Sequence, residues 1–559
     1  MIFLKNLYRD RSSLLLLGAS FLVLFLTCAY PFLNLFKKVL FPAGEFSLRY
    51  FAQLLQSSTT AIAVKNTLIV SGLTTLMAAV LAVPLAWVLS RTQIRGSKVW
   101  RSLFCLPYAI PPYIAAIAWI VLANPSNGLL NSALGYKIFN IYSLGGLVWV
   151  MGSFFYTFVL LSVLTALDRV DPSLEEAARL SGASPLKVFT SITLPVISPA
   201  FFSGMLLVFL AASACFGVPA LIGTPARIFM LVTKIYTYQK MGSISGIYMA
   251  GSLSIILLVL SFLILWFNRR FEKRAFEVVS GKSNRAQAMD WGNKQWAIQF
   301  LLITLFSVLF LLPVSGIFVA ATSKIQGIFS LDNFTFNNFV KIFFHTDETP
   351  RAIKNSFILA ASVATACCAL GVFLSYIVKK TRIKGRQIIP VIATLPFASP
   401  GTVIALALIL AANIQFFNLS FSLYNTIYLI GLAYFAKYLN FSLRTCGDGL
   451  GQINNSLAEA SRVSGASWGQ TMKKIWIPLL LPSIVASWFL VFMPAFSELT
   501  MTILLSGPGI ETMGTLLFQL QEYGDASGGG AAVLALFVIV MVTVINYLVK
   551  FLSKGRYGL

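Results

Sequence analysis

Two short polar stretches hold the residues whose types and spacing suggest work in this 559-residue chain. The first reads Leu174-Glu175-Glu176-Ala177-Ala178-Arg179-Leu180-Ser181-Gly182-Ala183-Ser184 and runs on to Leu194-Pro195. The second reads Leu457-Ala458-Glu459-Ala460-Ser461-Arg462-Val463-Ser464-Gly465-Ala466-Ser467 and runs on to Ile477-Pro478. Each sets a carboxylate beside a run of small residues and a glycine, on a helix-forming background between long apolar segments. No His, Cys or paired-carboxylate cluster accompanies them, so catalysis is not their chemistry. Small residues on a short helix let another backbone come close, which is the chemistry of a docking contact.

The local signals predict a helix-turn-helix in each stretch. Asp171 supplies an N-cap acceptor and Pro172 a first helical residue that needs no N–H. Glu175 and Glu176 fall near the helix N-terminus, where the macrodipole favours anions. Gly182 is placed to end the helix in the left-handed region. Ser184-Pro185 then starts a second short helix, which Pro195 is expected to limit. In the second copy Asn454 and Ser467 hold the capping places and Gly465 the stop. Leu174, Ala177, Ala178 and Ser181 share one face by i, i+3, i+4, i+7 spacing. That face serves either a partner or the chain's own bundle, and its occurrence twice favours a partner.

The elements that must position these stretches are membrane helices. The chain is 58% hydrophobic and 11% charged, with mean hydropathy +0.82, which excludes a soluble globular class. Twelve apolar spans are expected, near 14–36, 62–90, 103–123, 141–166, 197–222, 247–268, 297–321, 353–378, 388–412, 422–446, 479–505 and 531–552. The first run follows Lys5, Arg9 and Arg11 and is read as an uncleaved span rather than a signal peptide. The net charge of +24 does not point to nucleic acid, because the basic residues sit in alternate loops. Loops 413–421 and 506–530 have no Lys or Arg, whereas Arg91, Arg95, Lys98, Arg101, Lys379 and Lys380 crowd the side that holds both polar stretches. Excess Lys and Arg mark the cytosolic side, so both stretches and both termini are expected there. The six cysteines lie in apolar runs and read as packing residues, and His345 as a surface residue.

The chain is also a tandem duplication. Lys65-Asn66-Thr67-Leu68 matches Lys354-Asn355-Ser356-Phe357, and Leu106-Pro107-Tyr108-Ala109 matches Leu395-Pro396-Phe397-Ala398, both 289 residues apart. The polar stretches, Pro195/Pro478 and Pro199/Pro482 match at 283 residues, so one net deletion of six reconciles the halves. Six spans return the chain to its starting side, which makes the repeats parallel, related by an axis along the membrane normal. The expected fold is therefore all-α and polytopic, with halves at 1–268 and 297–559, a charged cytosolic linker at 269–296, and polar loops at 171–199 and 454–482.

Glu-Ala-Ala, a glycine three residues later and a hydrophobic-Pro some twelve residues on resembles the EAA loop of binding-protein-dependent ABC importer permeases. Both copies match in motif, side and place among the spans, and the resemblance covers about 60–268 and 350–552. Fused two-half permeases of this length most resemble the ferric iron type; thiamine and aminoethylphosphonate permeases are close in layout. The resemblance implies that each loop is a coupling helix seated in a cytosolic ATPase. Glu176, Ala177, Ala178 and Gly182 would contact one ATPase copy, and Glu459, Ala460, Ser461 and Gly465 the other. A periplasmic or lipid-anchored binding protein would deliver substrate to the outer loops of a chain set in the bacterial inner membrane. ATP and Mg would lie on the ATPase, and the permease would hold no cofactor and catalyse no reaction itself. The second loop departs from the pattern at Ser461, and has Ala458 where the first has Glu175, so the two docking sites are expected to differ in strength.

A motor within the chain is not expected. Gly281-Lys282-Ser283 is the nearest approach to a P-loop, and Phe276 stands where its first glycine belongs. A secondary transporter would need paired ionisable residues at mid-membrane depth, and only Glu498 and Lys437 are candidates. Glu498 either lines the translocation path, where it would suit a cation, or bonds a neighbouring helix. Its first-half equivalent is Cys215, so any role is asymmetric. The prolines at Pro107, Pro111, Pro112, Pro396 and Pro400 are expected to interrupt the third span of each half.

Overall fold

The computed structural model describes residues 11–42, 44–277, 292–328, 330–381, 385–416, 419–524 and 529–552. Most of the expected linker (278–291, with Gly281-Lys282-Ser283) and both chain ends lie outside the described residues. In chain order the long helices are α1 (Gly18–Leu40), α2 (Ser58–Arg91), α3 (Ser97–Tyr108 and Pro112–Ala123), α4 (Leu144–Leu167), α5 (Pro185–Ala214) and α6 (Ile244–Asn268). The second set is α7 (Gln295–Ala321), α8 (Glu348–Lys380), α9 (Ile388–Ala398 and Gly401–Ala411), α10 (Ile427–Gln452), α11 (Trp468–Phe496) and α12 (Gly529–Leu548).

Among the described residues, nine of these are long and apolar enough to cross a bilayer, and α3 and α9 add two if each bent pair is one span. The bends are 92° and 105°, at the prolines that the sequence marks. Proline has no N–H to give and its ring clashes with the preceding turn, so each span breaks there. The helix α10 has 26 residues but carries Lys437, Arg444 and Asp448, and does not qualify on composition. It packs on α8 as α4 packs on α2, which makes it the counterpart of a span. A two-stranded hairpin, unexpected from the sequence, pairs Asn413–Phe416 with Leu419–Ser422, Asn413 opposite Ser422.

Each half is built on three mutually packed helices: α2, α4 and α5 in the first, α8, α10 and α11 in the second. Small residues line the contacts, because lipid supplies no hydrophobic drive and close backbone approach must do the work. A side chain added at Gly371 would meet Ser442 at 2.6 Å, and one at Gly204 would meet the Val159 backbone at 3.0 Å. Buried hydroxyls add polar contacts: Ser487 Oγ donates to Ser442 Oγ at 2.7 Å and Ser375 Oγ to the Leu443 carbonyl at 2.7 Å.

The halves exchange their first helices. Helix α1 packs on Gly401–Ala411 of the other half, with Lys38 Nζ donating to the Leu410 carbonyl at 2.7 Å. Helix α7 packs on Pro112–Ala123 of the first half, so closely that a Cβ on Gly316 would meet Leu122 at 2.8 Å.

Four π turns precede four prolines. Phe25–Ala29 leads to Pro31, Phe189–Thr193 to Pro195, Ser307–Leu311 to Pro313 and Met472–Trp476 to Pro478. The wider turn absorbs the residue that cannot donate, and the helix continues. Pro195 therefore does not limit the second short helix, as the sequence led us to expect; Pro185–Ala214 is one span of 30 residues. Two further boundaries differ. Helix α5 ends at Ala214, ahead of Gly217 and Pro219, and α11 ends at Phe496, so 215–222 and 497–505 are not parts of unbroken spans.

Connectivity places both polar loops at one end of the bundle. Arg91, at the end of α2, touches the first loop, and Lys380, at the end of α8, touches the second. The start of α7 lies at the same end, where Gln299 Nε2 donates to the Arg95 carbonyl at 2.9 Å and Trp100 Nε1 to Gln299 Oε1 at 3.0 Å.

Candidate functional site

The first polar loop folds as two helices at a corner. Asp171 caps Pro172–Leu180, its carboxylate accepting from Ser173 N at 3.0 Å. That bond to an exposed carboxylate holds its pKa below the ordinary value. Gly182, at φ +83°, reverses the chain, and Ala183 N returns to the Ala178 carbonyl at 3.0 Å. Ser184 then caps Pro185–Val188. The second loop repeats the cap and the reversal at matched positions. Ser456 N donates to Asn454 Oδ1 at 3.2 Å, Gly465 takes φ +80°, and Ala466 N returns to the Ser461 carbonyl at 3.1 Å. Ser467 and Gln470 bond reciprocally to each other's backbone N–H in a capping box.

Glu176, Ala177 and Gly182 are exposed, with Ala178 partly so; Glu459, Ala460 and Gly465 are exposed, with Ser461 partly so. Leu180 and Val463, at matched positions, are each 90% exposed. Each is an apolar side chain standing out in water at the tip of a polar helix.

The two loops are seated differently. Glu175, which the sequence placed with Glu176 as a dipole partner, is buried. Its Oε1 and Oε2 accept from Arg91 Nε at 3.1 and 3.0 Å, and Thr193 Oγ1 donates to Oε1 at 2.8 Å. Arg91 Nη2 donates to the Leu167 carbonyl at 3.0 Å. In the second half Lys380 replaces Arg91, Ala458 replaces Glu175 and Trp476 replaces Thr193. Lys380 Nζ donates to the Ile453 carbonyl and to Asn455 Oδ1, both at 2.7 Å, and stands 5.0 Å from the Trp476 ring. Ala458 packs into an apolar cluster with Val372, Tyr376, Cys446, Leu450 and Trp476.

Deeper in the bundle a cavity of about 490 Å³ lies between the halves. Its lining includes Tyr108, Tyr113, Phe158, Tyr438, Phe441 and Glu498, the last being the only charged one. The aromatic contacts repeat across the halves: Tyr108–Phe158 at 5.3 Å and Phe397–Phe441 at 5.1 Å, Phe155–Phe158 at 6.0 Å and Tyr438–Phe441 at 6.3 Å. Glu498 lies just beyond the end of α11 rather than inside a span. Its carboxylate accepts from Met501 N at 3.0 Å and from Thr502 N and Oγ1 at 3.1 Å, capping the turn Thr502–Leu505. It bonds its own chain, not a neighbouring helix, and its side chain borders the cavity. Lys437 Nζ donates to the carbonyls of Phe397 and Ser399, which the break in α9 leaves without helical partners.

At the opposite end, the repeated Asn-Thr and Asn-Ser of α2 and α8 hold the segments ahead of Leu231–Lys240 and Met513–Tyr523. Thr67 Oγ1 accepts from Leu231 N at 2.8 Å and Ser356 Oγ accepts from Met513 N at 2.8 Å.

Residues 78–277 and 368–556 match the family of binding-protein-dependent transport system inner membrane components. The chain belongs to that family. This inner membrane component is similar to the ferric transport system permease protein of Actinobacillus pleuropneumoniae, 25% identical over 97% of this chain and 79% of that one. It is 24% identical to an Fe(3+)-transport system permease protein of Haemophilus influenzae, over 92% of this chain and 94% of that one. An sn-glycerol-3-phosphate transport system permease protein of Yersinia pestis is 34% identical over 29% of this chain and 57% of its own. A solved chain of a bacterial alginate ABC transporter covers 48% of this chain and 98% of itself at 19% identity, with a TM-score of 0.40.

Sequence reasoning missed one residue of this inner membrane component that the structure puts at the centre of the first loop. Glu175 was legible only as half of a Glu-Glu pair. The signal that separates the two is the repeat itself: Arg91 and Glu175 change together, to Lys380 and Ala458.

Proposed function

We propose that this chain is the transmembrane permease of an ATP-driven importer whose substrate is iron(III). The observation that carries the reading is the pair of exposed corners, capped and reversed at matched positions, at one end of the bundle. Each offers a carboxylate, small residues and a protruding apolar tip to a partner: Glu176, Ala177, Ala178, Gly182 and Leu180 in the first, Glu459, Ala460, Ser461, Gly465 and Val463 in the second. Two copies of a cytosolic ATPase would seat on them, and their closure on ATP would rock halves 1–268 and 297–559 about the cavity. The linker 269–296 joins the halves on the cytosolic side, with both termini. A substrate-binding protein would dock on the outer loops, at the end held by Asn66 and Asn355. Ligands drive such a cycle only by favouring one state of the pair over the other. Iron is chosen because the relatives that align along nearly the whole chain are named for ferric transport. Glu498 places one carboxylate on the path, which suits a cation.

The test is reconstitution. The chain, its ATPase and its binding protein in proteoliposomes should accumulate radioactive iron(III) when ATP is supplied on the ATPase side. Failure of any ATPase to co-purify sinks the importer reading; accumulation of another solute but not iron sinks the substrate assignment alone.

A further inference from the structure

We propose that the buried Arg91–Glu175 pair is a positioning latch that ties the first docking helix to the membrane helices, while the second docking helix rides on an apolar seat. The inference rests on the docking reading above. Arg91 closes α2, and its guanidinium reaches both oxygens of Glu175 and the last turn of α4 at the Leu167 carbonyl. Glu175 in turn receives Thr193, in the π turn within the first part of α5. One ionic node therefore joins the docking helix to all three core helices of the first half. Both side chains of the pair are 3% exposed.

A buried ion pair is directional: it holds one register, and a shift that separates its atoms leaves a charge without water. Arg179 adds a second, half-exposed contact, Nη2 to Glu175 Oε2 at 3.5 Å, from within the docking helix itself. The second half has no carboxylate at this place. Ala458 lies in a cluster with Tyr376 and Trp476, and Lys380 sits over the Trp476 ring while bonding the chain ahead of the helix. Apolar contact is not directional, so this seat resists separation but not small sliding. The three differences are concerted: Arg91 and Thr193 both bond Glu175 in the first half, whereas in the second Lys380 sits over the Trp476 ring and Ala458 shares an apolar cluster with it. The first half also holds Trp87, at the position of Tyr376, with its ring 6.3 Å from that of Phe189.

Glu175→Gln and an exchange variant, Arg91→Lys with Glu175→Ala and Thr193→Trp, test the latch in proteoliposomes carrying the ATPase and the binding protein. Three quantities are read: ATPase retained, ATP hydrolysed, and solute imported per ATP. For Glu175→Gln the ATPase should stay bound and hydrolyse, while import per ATP falls about tenfold, within the range of coupling between sites. The exchange variant, which rebuilds the second half's seat in the first, should recover import per ATP to within about threefold of wild type. Unchanged import per ATP in Glu175→Gln overturns the proposal, as does loss of the ATPase from that variant, which would put Glu175 in the interface. If Glu175→Gln does not reach the membrane, the exchange variant decides: inserted and coupled supports a positioning role, inserted and uncoupled overturns it. A wild-type chain that binds no ATPase would instead remove the docking reading itself.

Discussion

Asn66 and Asn355 make one bond twice. Asn66 Nδ2 donates to the Phe229 carbonyl at 3.0 Å and Asn355 Nδ2 to the Glu511 carbonyl at 2.9 Å, each from the N-terminal part of its helix to the chain ahead of a short helix. The repeat that reveals the duplication in the sequence is thus a pair of clamps on the loops at the end remote from the polar corners. Replacing either with Ala should cost about 1 kcal/mol, the usual net worth of a hydrogen bond. The two losses should add, because the sites share no partner. Thermal unfolding in detergent measures the cost, and faster proteolysis within 224–230 or 506–512 locates it.

Gly182 and Gly465 should tolerate Asn better than Val. A Cβ at either position meets nothing within 4 Å, so the cost of substitution is backbone strain alone. At φ +83° and +80° that strain is about 1–2 kcal/mol for an ordinary residue, and less for Asn. Val at both positions should abolish ATP-driven uptake in protein that still inserts, and Asn should retain part of it. Equal uptake by the Val and wild-type proteins would exclude a coupling role for the two corners.

Glu498 should respond differently to Gln and to Ala. Ala leaves the N–H groups of Met501 and Thr502 without their acceptor, at about 1–3 kcal/mol for each donor left unpaired, while the Thr502 hydroxyl keeps the main-chain carbonyl of residue 498. Gln keeps one oxygen for them and removes the charge from the cavity. The expected outcome is a lower melting temperature for Glu498→Ala, and near-normal melting with slower cation uptake for Glu498→Gln. Normal uptake by Glu498→Gln would leave the carboxylate a purely structural cap.

The two corners should also differ in acid. Asp171 has its pKa lowered by the Ser173 N–H, so its cap is at full strength above the unfolded carboxyl value of about 3.9 and weakens as pH falls through the lower, folded value. Asn454 makes the matching bond to Ser456 with no charge to lose. Hydrogen exchange followed from pH 6 downward, corrected for intrinsic rate, should show protection lost from 173–177 before it is lost from 456–460. Asp171→Asn should remove the difference.

The corners were legible because capping is local: an acceptor and a glycine within a dozen residues set each turn, with a proline after the acceptor in the first. The broken third spans were legible for the same reason, from Pro111-Pro112 and Pro400. What lies outside such reach was not. Glu175 and Glu176 are indistinguishable by propensity, and only Arg91, 84 residues earlier, decides which one is buried. Pro195 reads as a stop by any local rule, but a π turn carries the helix through it, as another does at Pro31 and Pro313, a match 282 residues apart that extends the duplication to the first span. The end of α11 was misplaced because the run 479–505 is apolar enough as a whole to hide the polar Ser497-Glu498, while the Glu498 side chain bonds the next turn and restarts the helix there.

The exchanged first helices have a further consequence. Each half grips the other through a limb that it cannot withdraw without leaving Leu122 or the Leu410 carbonyl bare, so the molecule is interlocked as well as fused. A gene cut within codons 278–291 should still yield working protein when both fragments are made together, and neither fragment should survive when made alone. The covalent joint then serves stoichiometry, fixing one of each half per molecule, and the clasp serves cohesion.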